Sequence, residues 1–229
     1  ELTEHCDTVT VLRDGVFIKT LFGDEINPNT MRQLMVGRQI EEDYYRSDFD
    51  EDLSGETVLS IEALGVEHML KNIAFQLHAG EILGVGGLTD SGMHDLGKLV
   101  FGIGRADSGR VIFCRDGAAI TSPGRAIRHK IGYVSKNRDK ESILNQSSIQ
   151  DNICLPSYDK LKKVCYIAPS AEKELAGIQS ETLQIKMSSL KQLCGQLSGG
   201  NKQKVALAKW LGNDSDILIL DCPTRGIDV

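Results

Sequence analysis

Leu197-Ser198-Gly199-Gly200-Asn201-Lys202-Gln203-Lys204 decides the reading of this chain. Ser198 is placed to open a helix whose first turn holds two glycines. Free backbone N–H groups and the helix dipole then face outward toward an anion. The serine hydroxyl and the bare glycine backbone let a phosphate approach closely. Seventeen residues after Lys204, Asp221 ends the apolar run Ile217-Leu218-Ile219-Leu220. Such a run suits a strand buried on both faces, as in a parallel sheet. An Asp at its end is positioned to hold Mg²⁺, usually through water. Cys222 comes next, then Pro223-Thr224-Arg225-Gly226-Ile227-Asp228.

Working outward from this segment, Glu81-Ile82-Leu83-Gly84-Val85 is expected as a strand running into a glycine-rich turn. Gly87 and Gly92 carry the spacing of the phosphate loop G-x-x-x-x-G-K-[ST]. In that loop the glycines let N–H groups curl around phosphate oxygens, the Lys adds charge and the hydroxyl holds Mg²⁺. A helix is expected from about Gly92, with Met93, Leu96 and Val100 on one face. The frame is there, but the chemistry differs. Met93 stands at the Lys position, His94 at the Ser/Thr position, and Asp90, beside Ser91, adds a negative charge. Two unit charges 4 Å apart interact by about 4 kcal/mol at an effective dielectric near 20. The exchange therefore costs several kcal/mol of phosphate affinity if both side chains face the phosphates.

Elsewhere, residues 8–20 read as strand, turn at Arg13-Asp14-Gly15, strand. Pro28 to Arg38 reads as helix, with Met31, Leu34 and Met35 on one face. Residues 41–54 form an acidic linker, nearly free of aliphatics up to Asp52. Strands are expected around Val58–Ile61, Ile73–Leu77, Val111–Phe113 and Ile131–Val134. Helices are expected over 170–193 and Val205–Leu211. Strand, glycine turn, helix and a later buried strand ending in Asp indicate an α/β nucleotide-binding architecture.

Composition narrows the function. A net charge of −6 argues against a nucleic-acid partner. No apolar run reaches the length of a membrane span, so a membrane role passes through a partner chain. The first residues, Glu1-Leu2-Thr3-Glu4, lack the pattern of a signal peptide, and the missing Met points to a fragment. The six cysteines form no C-x-x-C pair and have no His in metal-ligand spacing, so they are expected as free thiols of a reducing compartment. Tyr44 and Tyr45 fall in the linker. His5, His68, His78 and His129 are expected as surface or packing residues, and Trp210 as core or as an anchor on a helix surface.

The segments 197–204 and 216–229 (DILILDCPTRGIDV) closely resemble the signature motif, Walker B strand and D-loop of ABC ATPases. Asn201-Lys202-Gln203-Lys204 and Pro223 to Asp228 resemble in particular the simple-sugar importers, whose subunits carry two cassettes in one polypeptide. Gly80 to Val85 and Phe101-Gly102 match the surroundings of the second cassette's phosphate loop. Cys6 to Gly15 looks like the end of a first cassette, and Met31 to Arg38 like the tail that closes it. The resemblance implies an α/β, P-loop NTPase-type fold. It has a mostly parallel core sheet, an antiparallel β subdomain and a helical subdomain bearing the signature motif. The implied division is 1–40 for the end of the first cassette, 41–54 for the linker and 55–229 for a second cassette cut before its switch histidine.

The resemblance also implies site residues. ATP is held between one cassette's phosphate loop and the other's signature, so Ser198, Gly199, Gly200, Asn201, Lys202 and Gln203 would act in trans. Gly87, Asp90, Ser91, Gly92, Met93 and His94 form the chain's own degenerate loop. Lys136, in Ser135-Lys136-Asn137-Arg138, occupies the Q-loop position, where Pro-Glu-Asp-Arg is usual. Asp221 would hold Mg²⁺, Asp228 belongs to the D-loop, and Cys222 replaces the usual Glu, which orients or activates water. Loss of a general base costs about 10²- to 10⁴-fold in rate. Implied partners are the first cassette, membrane permease subunits and, indirectly, a periplasmic or lipid-anchored sugar-binding protein, with the subunit peripheral on the cytoplasmic face. Three other readings compete: a non-catalytic regulatory pseudo-cassette, a soluble ABC protein outside transport, and a cysteine enzyme built on Cys222. The short acidic linker speaks against the second, and the lack of a sequence-near His against the third.

Overall fold

The computed structural model describes residues 2–13, 15–37, 55–88, 90–163 and 166–224. The linker reading, Asp14, Tyr44, Tyr45, Cys165 and Asp228 lie outside them. The described residues fall into two compact units, one from each side of the stretch 38–54.

The first unit is small. After a single turn, α1 (Leu2–His5), strands β1 (Thr8–Arg13) and β2 (Val16–Phe22) pair antiparallel. Arg13 faces Val16, so the loop is two residues long, and Gly15 takes φ +77, which such a tight turn requires. Alternation sends Val11 and Leu21 into the interior while Leu12, Phe17 and Phe22 stay exposed. Helix α2 (Pro28–Val36) is capped by the Asn27 carboxamide, which accepts from Thr30 N at 2.9 Å. It ends at Gly37, in the left-handed region at φ +80, short of the expected Arg38. Met31 and Leu34 are half-buried, but Met35 is exposed, so the expected apolar face is narrower than its pattern.

In the second unit, β3 (Thr57–Val66) and β4 (Leu70–His78) come first, then α3 (Met93–Val100). Strands β5 (Ser108–Phe113) and β6 (Ala118–Ala119) complete an antiparallel sheet in the order β4-β3-β5-β6. Val58, Leu59, Ile61 and Leu64 on β3 and Val111 and Phe113 on β5 supply its buried side. Helix α4 (Pro123–Arg128) leads to β7 (Ile131–Val134). Helices α5 (Ile149–Cys154) and α6 (Tyr158–Leu161) follow, then the two-residue strands β8 (Lys162–Lys163) and β9 (Tyr166–Ile167). Helices α7 (Pro169–Thr182) and α8 (Gly199–Gly212) lead to β10 (Ile217–Leu220). Helices α5, α7 and α8 pack through Ile149, Ile153, Ala176, Val205, Ala206 and Ala208, all fully buried. Between them, buried Asn152 meets its hydrogen-bonding needs through Leu144 N, Leu144 O and Ser148 O.

Strands β7 and β10 pair in parallel, Ile131 with Ile217 through Val134 with Leu220. The ladder continues one step to Asp221, whose N–H donates to Val134 O at 2.9 Å. Helix α3 lies against this pair: a Cβ at Gly97 would sit 3.5 Å from Ile219 and Tyr133. Phe101 stacks on Tyr133 and meets Trp210 edge-on, each at 5.6 Å. Trp210 is therefore core, seated over Gly132, where any Cβ would meet the indole at 2.8 Å.

Three expectations are corrected. Residues 81–88 form no strand: no described strand hydrogen-bonds to them, and Ile82 and Leu88 are more than 80% exposed. Strand β10 buries only Ile217 fully, because among the described residues it has one neighbour instead of two. The helix expected over 170–193 stops at Thr182. Gln184 enters the left-handed region at φ +50 and Ile185 N bonds back to Ser180 O, a closure that satisfies the last carbonyls and buries Ile185.

Candidate nucleotide and metal site

The glycine-rich turn is built as its spacing requires. Gly92 is buried at φ +80 as the N-cap of α3, and a Cβ there would meet Leu70 Cδ2 at 2.8 Å and Met69 O at 3.2 Å. At Gly87 a Cβ would collide with the Ser91 hydroxyl at 2.2 Å. The Met93 sulfur lies 3.9 Å from that same point, so the residue at the Lys position does cover the loop. Asp90 and Ser91 are exposed.

His94 supplies what sequence reading did not find. From the second position of α3, its Nδ1–H donates to Asp221 Oδ1 at 2.6 Å, a bond joining residues 127 apart in the chain. The side chains are only 17% and 10% exposed. The other oxygen of Asp221 accepts from the Tyr133 hydroxyl at 3.5 Å, and burial pushes that phenol above its usual range. Cys222 follows, exposed, with its backbone at φ +53. Ligand atoms of His94, Asp221 and Cys222 all lie within 4.8 Å of one another.

The Mg²⁺ that the resemblance implies does not fit this set. Mg²⁺ wants near-octahedral oxygen at short distance and keeps its waters. Here the position of the hydroxyl ligand carries an imidazole, Asp221 Oδ1 is engaged by it, and the next side chain is a thiol. Cys222 has no carboxylate with which to activate water, so no hydrolytic step can be written through it.

Beyond β7, Ser135 is buried and Lys136 half-buried. The Ser135 hydroxyl donates to Glu141, and against the cost of burial this bond, with Lys98 at 3.1 Å, holds the Glu141 carboxyl below its usual range. Lys98 and Glu141 of this cluster edge a cavity of about 370 Å³ that also touches Tyr133, Lys209 and Trp210. No motif marked it; only the fold joins these residues.

The signature segment keeps the form expected of it. Ser198 caps α8 and accepts from Asn201 N at 3.5 Å and Asn201 Nδ2 at 2.9 Å. Asn201 Oδ1 accepts from Lys186 N at 2.8 Å, pinning the preceding loop. Lys202 pairs with Asp139 at 2.6 Å, and buried Gln203 accepts from Arg138 at 3.4 Å. Ser198 itself is exposed, with Gly199 and Gly200 partly so, leaving the helix start accessible. Among the described residues, no hydrogen bond or ion pair joins 198–204 to the turn at 87–94.

The ABC transporter family model matches residues 70–225. Over its full length the chain is 38% identical to the ribose import ATP-binding protein RbsA of Lacticaseibacillus paracasei, covering 45% of that protein. It is 37% identical to the xylose import ATP-binding protein XylG of Thermoanaerobacter pseudethanolicus, covering 46% of it. The chain thus spans about half the length of the curated relatives it matches. Among solved structures, the ATP-binding cassette MJ0796 in a dimeric post-hydrolysis state bound to ADP and Pi superposes with a TM-score of 0.63. That match is 21% identical and covers 74% of this chain and 76% of the other.

Proposed function

The chain belongs to the ABC transporter family, and from that premise we propose that it is part of the ATP-binding subunit of a simple-sugar importer whose own nucleotide site has been given up. In this reading residues 1–40 close a first cassette and 55–229 belong to a second. The second cassette lends Ser198–Gln203 to ATP held by the first. Permease subunits and a sugar-binding protein are the partners, and the subunit sits peripherally on the cytoplasmic face. Likeness to ribose and xylose import proteins supports the substrate class. Among the described residues no helix is long and apolar enough to cross a membrane, which agrees with a peripheral place.

The observation that carries the reading is the His94–Asp221 bond at 2.6 Å. It engages the carboxylate that would hold Mg²⁺, while the start of α8 stays capped and accessible. The test uses the full-length subunit with its permease. Ser198→Arg should abolish transport by blocking approach to the helix start, and Met93→Ala should leave transport within about twofold. The reverse pattern refutes the assignment.

A further inference from the structure

We propose that His94, Asp221 and Cys222 form a binding site for a zinc-class divalent cation, a metal of different chemistry from the Mg²⁺ of nucleotide hydrolysis. The three side chains offer an imidazole nitrogen, a carboxylate oxygen and a thiol, one of each, with ligand atoms within 4.8 Å. Nitrogen, oxygen and sulfur around one point is a Zn²⁺ donor set. Hard Mg²⁺ and Ca²⁺ disfavour it.

The geometry needs only small adjustments. Tetrahedral ligands at Zn distances sit about 3.4–3.7 Å apart. The His94–Asp221 pair at 2.6 Å would open by about 1 Å as its bridging proton gives way to the metal. Cys222 would close by a similar amount. The side chains are well placed for this. His94 rides on α3, fixed by packing at Gly97, and Asp221 is fixed by its N–H bond to Val134. Cys222 turns at φ +53 immediately after, which brings consecutive residues of one chain to a common point. Tyr133, near the second oxygen of Asp221, is the outer-shell donor that metal-bound carboxylates usually have. Exposure of Cys222 gives the ion a path in and leaves a fourth position for solvent or a ligand. Binding releases the thiol proton to solvent, and the His94 Nδ1 proton passes by way of solvent to Nε2, leaving a neutral imidazole whose Nδ1 holds the metal.

The test is titration of the metal-free chain with Co²⁺, a spectroscopic stand-in for Zn²⁺, followed by Zn²⁺ competition. One equivalent should bind and produce a thiolate-to-cobalt charge-transfer absorption, which Zn²⁺ abolishes and excess Mg²⁺ does not. Cys222→Ser should lose that absorption, and His94→Ala should weaken binding by at least about tenfold. Cys222 is exposed, so its variant keeps the fold, and unchanged circular dichroism verifies this. Absence of saturable binding overturns the proposal. So does a charge-transfer band that survives Cys222→Ser, which places the metal on another thiol. The readout needs no nucleotide, so it stands or falls apart from the transport reading.

Discussion

Met93→Lys combined with His94→Ser should strengthen nucleotide binding by this chain. The Met93 side chain already reaches over the loop, its sulfur 3.9 Å from the space above Gly87, so a lysine there would extend over the same loop; an ammonium-to-phosphate separation of about 4 Å is taken for the bound state. At that distance the attraction is about 4 kcal/mol at an effective dielectric of 20. The loop is open to solvent and Asp90 keeps its charge, so roughly half survives screening, about 2 kcal/mol or 30-fold in Kd. Serine at 94 also frees Asp221 Oδ1 for a cation. The cost falls on stability. The lost charge-assisted bond from His94 was contributing about 1.5–3 kcal/mol, so the nucleotide-free variant should melt several degrees lower. Calorimetric titration with Mg-ATP reads the first effect and thermal unfolding the second. A folded double variant that binds Mg-ATP no better than the parent refutes the idea that positions 93 and 94 are what disabled the loop.

Two further expectations concern the frame. Gly109 sits at φ +74, and a Cβ there would lie 2.3 Å from the carbonyl oxygens of both Ala63 and Glu62. Gly109→Ala should therefore cost about 3 kcal/mol or more and lower Tm by about 6–12 °C. Gly117→Ala, at φ +72 but with open space around it, should cost only about 1 kcal/mol, and equal melting of the two would contradict the steric argument. Burial depresses Lys209 to a pKa of about 8, below its ordinary 10.5. The unfolded chain then binds more protons between those values, so this residue makes stability rise with pH there, by at most about 3 kcal/mol. Lys209→Met should flatten that rise in denaturant titrations from about pH 7 to 10. At neutral pH it should also lose the Nζ bond to Ser142 O at 2.5 Å. An unchanged pH slope would remove Lys209 as its source.

Much of this fold could be read from apolar runs and punctuation. Strands β7 and β10 fall on Ile131–Val134 and Ile217–Leu220, and Ser198 caps α8 where its sequence placed it. Local pattern failed where pairing decides. Ile82, Leu83 and Val85 look like a strand, yet no described neighbour supplies the ladder that would make them one. Residues 183–193 carry helix-forming composition, but the left-handed turn at Gln184 ends α7 by tertiary burial of Ile185. The site divides along the same line. Each altered residue of the phosphate loop was visible against its motif. The His94–Asp221–Cys222 cluster was not, because it joins a helix start to a strand end 127 residues away. Reading the cysteines by sequence spacing alone hid the histidine that the fold brings to Cys222.

The most direct test of the account is a calorimetric titration of this chain, unaltered, with ATP in the presence and absence of Mg²⁺. The account predicts no saturable heat up to about 1 mM ATP, weaker than about −4 kcal/mol of binding free energy. Micromolar, Mg²⁺-dependent binding would contradict it, because a loop with Met93, His94 and an engaged Asp221 would then still hold nucleotide.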